Sequence, residues 1–125
     1  LVLFFGDNIT EIGIPLVEEG ARLISVIIGP PLLYVYTTVF VIFENIVILS
    51  EYPIEQGYEF STITIRIFVS MFHFFLLWIQ YRWYKKYKET NDKMKIFIGF
   101  LLAYIIHVYW NIVIGHRIFN ILISL

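Results

Sequence analysis

Glu18, Glu19 and Arg22 stand within one short stretch of an otherwise apolar run, Ile12 to Ile28. A charged side chain near a bilayer centre costs roughly 3 kcal/mol on insertion scales, so such a cluster needs a reason to persist. On a helix Arg22 lies four residues from Glu18 and three from Glu19, and its side chain reaches either acid. Two carboxylates beside one cation in a poorly solvated site do not ionise independently, which is the raw material of a general base. A structural ion pair between helices is the other reading of these residues.

Further polar residues interrupt apolar segments downstream: Glu44 and Asn45, Arg66, His73, His107 and Asn111. His107 and Asn111 are one helical turn apart and present two donors to one point. Glu44 and Asn45 are placed to satisfy Arg66 across a helix pair. His73, set among Phe and Leu, also reads as a hydrogen-bonded packing residue. His116 and Arg117 read as interfacial anchors, and the Tyr and Trp residues of 81–87 as an aromatic belt.

These residues belong to a chain that is 59% hydrophobic and 15% charged over 125 residues, with mean hydropathy +0.78. A soluble domain of that size needs far more polar surface, so the class is an integral membrane protein. Cysteine is absent, which excludes disulfides and thiol catalysis. No signal-peptide pattern is visible, and Leu1–Phe5 reads as the tail of a short or missing segment.

Four transmembrane helices are expected, at about 12–28, 32–49, 58–84 and 95–115, forming one all-α bundle around a polar interior. Gly29-Pro30-Pro31 separates the first two, and a Pro-containing acidic loop over 50–57 separates the next pair. Six of the nine Lys and Arg fall between Arg82 and Lys95. That loop is therefore assigned to the cytoplasm, and the acidic loop 50–57, which has no Lys or Arg, to the outside. Between two spans the basic loop sets topology and touches anionic lipid rather than nucleic acid. At 1.5 Å per residue, Glu18, Glu19, Glu44, Asn45 and Arg66 lie roughly 10 Å below the outer surface. His73 comes out about 20 Å down, and His107 and Asn111 about 13 and 7 Å.

Each helix carries its polar residues as a stripe. On the first, Glu11, Pro15, Glu18, Arg22, Ser25 and Gly29 follow at three- and four-residue steps; on the second, Tyr34, Thr37, Thr38, Val41, Glu44 and Asn45. The third offers Thr62, Arg66, Ser70 and His73, and the fourth Gly99, Ala103, His107, Asn111 and Gly115. Small residues at that spacing let backbones approach, and polar ones point to partners rather than lipid.

Pro15-x-x-Glu18-Glu19-x-x-Arg22, Phe40-x-x-x-Glu44-Asn45, Arg66 followed by His73, and His107-x-x-Trp110-Asn111 occur in the order of the PrsW family of intramembrane proteases. The chain resembles that family from Pro15 to Asn111, with Arg22 where the family has Lys and a shorter link between the first two motifs. The family is in turn similar to the CAAX prenyl endopeptidases and bacteriocin-processing membrane proteases. The resemblance implies that one carboxylate of the Glu18/Glu19 pair activates a water with help from His73. The other carboxylate and Arg22 would then hold it, with Glu44 and Asn45 in support. His107 and Asn111 would donate to the developing oxyanion. It implies no cofactor, or else a zinc ion held by His73, His107 and Glu19. The implied substrate is a single-span membrane protein of the anti-sigma-factor type, cut near the outer side.

Two other functions fit some of these residues. A non-catalytic scaffold subunit of the same superfamily keeps intramembrane histidines, but has little use for an extra acid. An ion or proton pathway uses buried Glu, His and Arg equally well. It should connect both faces, whereas the cytoplasmic halves of the expected spans hold no ionisable stripe.

Overall fold

Proline and glycine placement explains where the helices start and stop. The computed structural model describes residues 9–51, 54, 56–114, 117, 121 and 124. Helix α1 spans Ile14–Ile28 and is entered through a wider π-type turn, Ile9–Gly13. Pro15 occupies its first turn, where a missing N–H costs nothing. At its end the Gly29 N–H donates to the Ser25 carbonyl at 3.0 Å. Helix α2, Pro30–Glu51, begins directly on the two prolines, which are preorganised for a first turn. Helix α3 runs Glu59–Thr90 and α4 Met94–Tyr109, the latter continuing as a π-type turn over Trp110–Ile114. Among the described residues there is no strand.

Among the described residues the fold is thus an all-α bundle of four helices, as the sequence implies, but the lengths differ from expectation. α2, α3 and the Met94–Ile114 segment are long and apolar enough to cross a membrane. Three membrane-crossing helices make the protein a membrane-embedded, multi-pass one. α1 has 15 residues, about 22 Å, and falls short of the ~30 Å hydrocarbon layer. α3 exceeds the expected 58–84 by six residues, because Lys85, Lys86, Lys88 and Glu89 continue a helix well outside hydrocarbon. It stops at Asn91, which takes the left-handed conformation (φ 55°) and returns its N–H to Tyr87. Lys86 lies 4.1 Å from the Trp83 ring centroid and the Arg82 guanidinium 5.2 Å from that of Trp78, which places the aromatic belt beside the basic loop. Residues 1–8, 52, 53, 55, Gly115, His116 and most of the apolar tail lie outside the described residues. The expected N-terminal remnant, the His116 anchor, the Gly115 end of the α4 stripe and part of the loop 50–57 fall among these. Arg117 is exposed.

Packing inverts the pattern of a soluble protein. The fully buried side chains include Glu19, Arg22, Thr37 and His73, whereas Val39, Ile42, Phe43, Ile46, Phe60 and Met71 are exposed. Large apolar side chains facing outward with charges facing inward is the arrangement a lipid solvent demands. α1 touches all three other helices. Two apolar clusters flank the polar centre. Phe72, Leu76, Ile79 and Ala103 join α3 to α4, and Val26, Leu33 and Leu77 close the end nearer the basic loop.

Gly99 makes the α3–α4 contact possible. A β-carbon added there would lie 2.6 Å from the Trp83 β-carbon, far inside carbon–carbon contact distance. Because the clashing atom is the root of the Trp83 side chain, relief requires the helices to separate. Gly99→Ala should therefore destabilise the protein by about 1–3 kcal/mol in detergent unfolding measurements. Gly20→Ala, where the added carbon meets nothing within 4 Å, should be neutral or stabilising. Equal effects at the two sites would contradict the packing.

Candidate functional site

Residues at three- and four-residue steps on α1 are drawn to the bundle interior, and they bury Pro15, Glu19, Arg22 and Ser25. Glu19 is completely buried, and every neighbour of its carboxylate is a donor. Its Oε1 accepts from Arg22 Nη1 and lies 2.8 Å from His107 Nδ1, and its Oε2 accepts from Gln80 Nε2 at 2.8 Å. Arg22 in turn approaches His73 Nδ1 with Nη2, at 2.8 Å. The Phe40 ring lies 5.9 Å below the guanidinium and meets His73 edge-on. The two imidazoles sit with centroids 5.5 Å apart, and Phe72, stacked on Trp110 at 4.3 Å, packs edge-on against His107.

Glu18, one residue earlier, is rotated about 100° around the helix and faces a different space. It lines a chamber of about 480 Å³ with Glu11, Glu44, Arg66, His73, His107 and Asn111. Ile14, Ile48, Val69, Phe72 and Trp110 complete the wall. Glu18 Oε2 is buried, has no hydrogen-bond partner and lies 3.6 Å from His107 Nε2. Of the described residues with a buried, unpartnered side-chain atom, Glu18 alone lines this chamber.

A second cluster ties α2 to α3. Arg66 donates to Glu44 Oε2 and to Asn45 Oδ1, both at 2.8 Å, and Asn45 donates to Ser70 Oγ and to the Val41 carbonyl. Glu44 Oε2 is also 3.4 Å from His73 Nε2, which links the two clusters.

The structure therefore gathers Glu18, Glu19, Arg22, His73 and His107 at one place and brings Glu44, Arg66 and Asn111 to the same chamber wall. Asn45 is not on that wall. It lies in a groove between α2 and α3 with Leu49, Ile63 and Met71. Glu19 also departs from expectation. The sequence leaves open which of the two glutamates is the base and makes Glu19 the metal ligand, but both oxygens of Glu19 are engaged. The atoms that converge within 4.8 Å belong to Glu18, His73 and His107. The reason is geometric: Glu19 and Arg22 share the buried face, so the three-residue spacing takes the cation and leaves Glu18 without it. Gln80 escaped the sequence reading. It lies two turns beyond His73 on the same face of α3, and an amide inside an apolar span was the available signal.

A metal at Glu18, His73 and His107 would need a lone pair from each ring. His107 can give one, but the Nδ1 lone pair of His73 is already taken by a guanidinium, which only donates. The donor set as arranged does not fit a metal ion. No family model matches the chain, and no curated protein or solved structure matches it.

The two adjacent glutamates should separate cleanly by stability. Glu19→Ala strands a buried cation and should cost about 3–5 kcal/mol in reversible detergent denaturation. Glu18→Ala removes an unpartnered acid and should change stability by less than about 1 kcal/mol. Comparable losses would contradict this division of roles.

Proposed function

We propose that the chain is an intramembrane endopeptidase that hydrolyses a peptide bond of a membrane-embedded substrate with an activated water. The observation that carries this reading is the Glu18 side chain on the wall of a polar chamber, unclaimed by Arg22 and with one oxygen 3.6 Å from His107 Nε2. A carboxylate and an imidazole at that separation can share one water and accept its proton. Asn111 and the second imidazole line the same space as donors for the oxyanion that forms when water adds to a carbonyl. The apolar wall of Ile14, Ile48 and Val69 suits a substrate segment leaving the bilayer.

The motif order from Pro15 to Asn111 supports a relationship to the PrsW family, and through it a single-span substrate of the anti-sigma-factor type. The basic loop 82–95 is assigned to the cytoplasm by charge. The chamber residues Glu11, Ile48 and Arg66 lie toward the other end of their helices, so cleavage would fall near the outer side. A scaffold gains nothing from an unpartnered buried carboxylate. A conducting path would have to continue past Val26, Leu33 and Leu77, which are tightly packed and apolar.

Co-expression with a tagged single-span membrane protein tests the proposal. The wild-type chain should release a shorter product. Glu18→Gln, His73→Ala and His107→Ala should each lower the cleavage rate by about 10²–10⁴-fold while remaining folded. A strong zinc chelator should leave the wild-type rate unchanged. Wild-type cleavage by Glu18→Gln would end the proposal.

A further inference from the structure

The hydrogen bonds around the two chamber histidines have directions as well as lengths, and the directions differ. Arg22 has only N–H groups to offer, so at His73 Nδ1 it must meet a lone pair. A neutral imidazole whose Nδ1 accepts carries its proton on Nε2, the nitrogen that points toward Glu44. At His107 the order is opposite. Glu19 already accepts from Arg22 and Gln80 and is therefore a carboxylate, so His107 Nδ1 must donate to it. In a neutral ring the lone pair then lies on His107 Nε2, on the side of Glu18.

We propose that Arg22 and Glu19 fix the two histidines as opposite tautomers, making His107 the proton acceptor that works with Glu18 and His73 the N–H donor. This rests on the hydrolytic reading above but exchanges the parts that the family resemblance gives the two rings. Glu18 and His107 stand side by side on the chamber wall, with Nε2 of the ring 3.6 Å from one carboxyl oxygen, and a single water in the chamber donates one hydrogen to the carboxylate and one to Nε2. His107 Nε2 takes a proton as the water oxygen bonds to the amide carbon. The carbonyl π pair moves onto its oxygen, where His73 Nε2–H and the Asn111 amide donate to it. When that adduct collapses the C–N bond breaks, and the proton held by His107 passes to the leaving nitrogen. The products are a carboxylic acid and an amine. Glu19, Arg22 and Gln80 touch no substrate in this scheme. They are positioning residues, and their effect is to decide which nitrogen of each ring carries hydrogen.

The same assignment explains why a histidine pair and a carboxylate so close together do not form a metal site. Ligation by His73 would require its proton to move to Nδ1, where it would confront the guanidinium.

Long-range proton–nitrogen NMR of the full chain, labelled with ¹⁵N-histidine in detergent micelles, reads the tautomers directly, because protonated and bare ring nitrogens resonate far apart. The sequence holds three histidines, and His73→Asn, His107→Asn and His116→Asn assign them. The expected result is a bare Nδ1 with protonated Nε2 for His73 and the reverse for His107. The same tautomer at both, the reverse assignment, or a doubly protonated ring at either would overturn the proposal. This readout needs no substrate, so it stands or falls separately from proteolysis. Where cleavage is measurable, glutamine substitutions give the second arm, since a Gln amide can replace an N–H donor but not a base. His73→Gln should recover at least tenfold over His73→Ala, whereas His107→Gln should recover nothing over His107→Ala. Equal recovery at both positions would contradict the exchange of roles.

Discussion

The pairing of Glu19 with Arg22, both without solvent contact, is the constraint on which the rest of the structure depends. Two opposite charges inside a bundle are held there only if their remaining hydrogen-bonding capacity is met, since removing either leaves a buried charge uncompensated. Three helices answer most of that demand, Arg22 Nε being left without a partner. α3 supplies Gln80 to Glu19 and His73 to Arg22, α4 supplies His107, and α2 lays Phe40 beneath the guanidinium. Satisfying the pair therefore fixes where two imidazoles stand and which way each points. The chamber follows from the same geometry, because the neighbouring Glu18 is carried to its wall by the turn of α1.

The lipid-facing surface follows the opposite rule. A bilayer gives no reward for burying leucine, so the bundle turns its large apolar side chains outward and closes its interior with small residues and polar ones that mostly hydrogen-bond to one another. Gly99 and Ala103 let α4 approach α3, and this brings His107 to the level of His73. The Arg66–Glu44–Asn45–Ser70 network does the equivalent work between α2 and α3. Glu44 is the joint between the two networks, through its 3.4 Å approach to His73.

Much of this was legible in the residue order. Apolar length and helix-breaking residues gave the number of helices and, to within a few residues, most of their ends. The small-residue and polar stripes identified most of the inward faces, because in hydrocarbon a polar side chain has few other places to go, although Tyr34 and Thr38 of the expected α2 stripe are exposed. What the order of residues left open was which of two adjacent carboxylates would take Arg22, since spacings of three and four are both neighbours on a helix. Tertiary donors decided it: Gln80 and His107 both arrive at Glu19. The shortness of α1 was visible in its 12–28 run, but its π-type entry was not, because an apolar run beginning at Ile12 does not reveal that the first turn is wider than an α-helix. Asn45 was grouped with the site because it follows Glu44, yet the 100° step between neighbours sends it into a different groove.

The central claim is that ionic groups from separate helices share one water-filled space opening away from the basic loop. The chain contains no cysteine, so single cysteines can be introduced without background. A membrane-impermeant thiosulfonate, which reacts with the thiolate that forms only in water, would be added from the side opposite that loop. Ile48→Cys and Val69→Cys, on the chamber wall, should be labelled, whereas Ile46→Cys and Phe68→Cys, at similar depth but facing lipid, should not. Wall positions as unreactive as their lipid-facing neighbours would contradict the account.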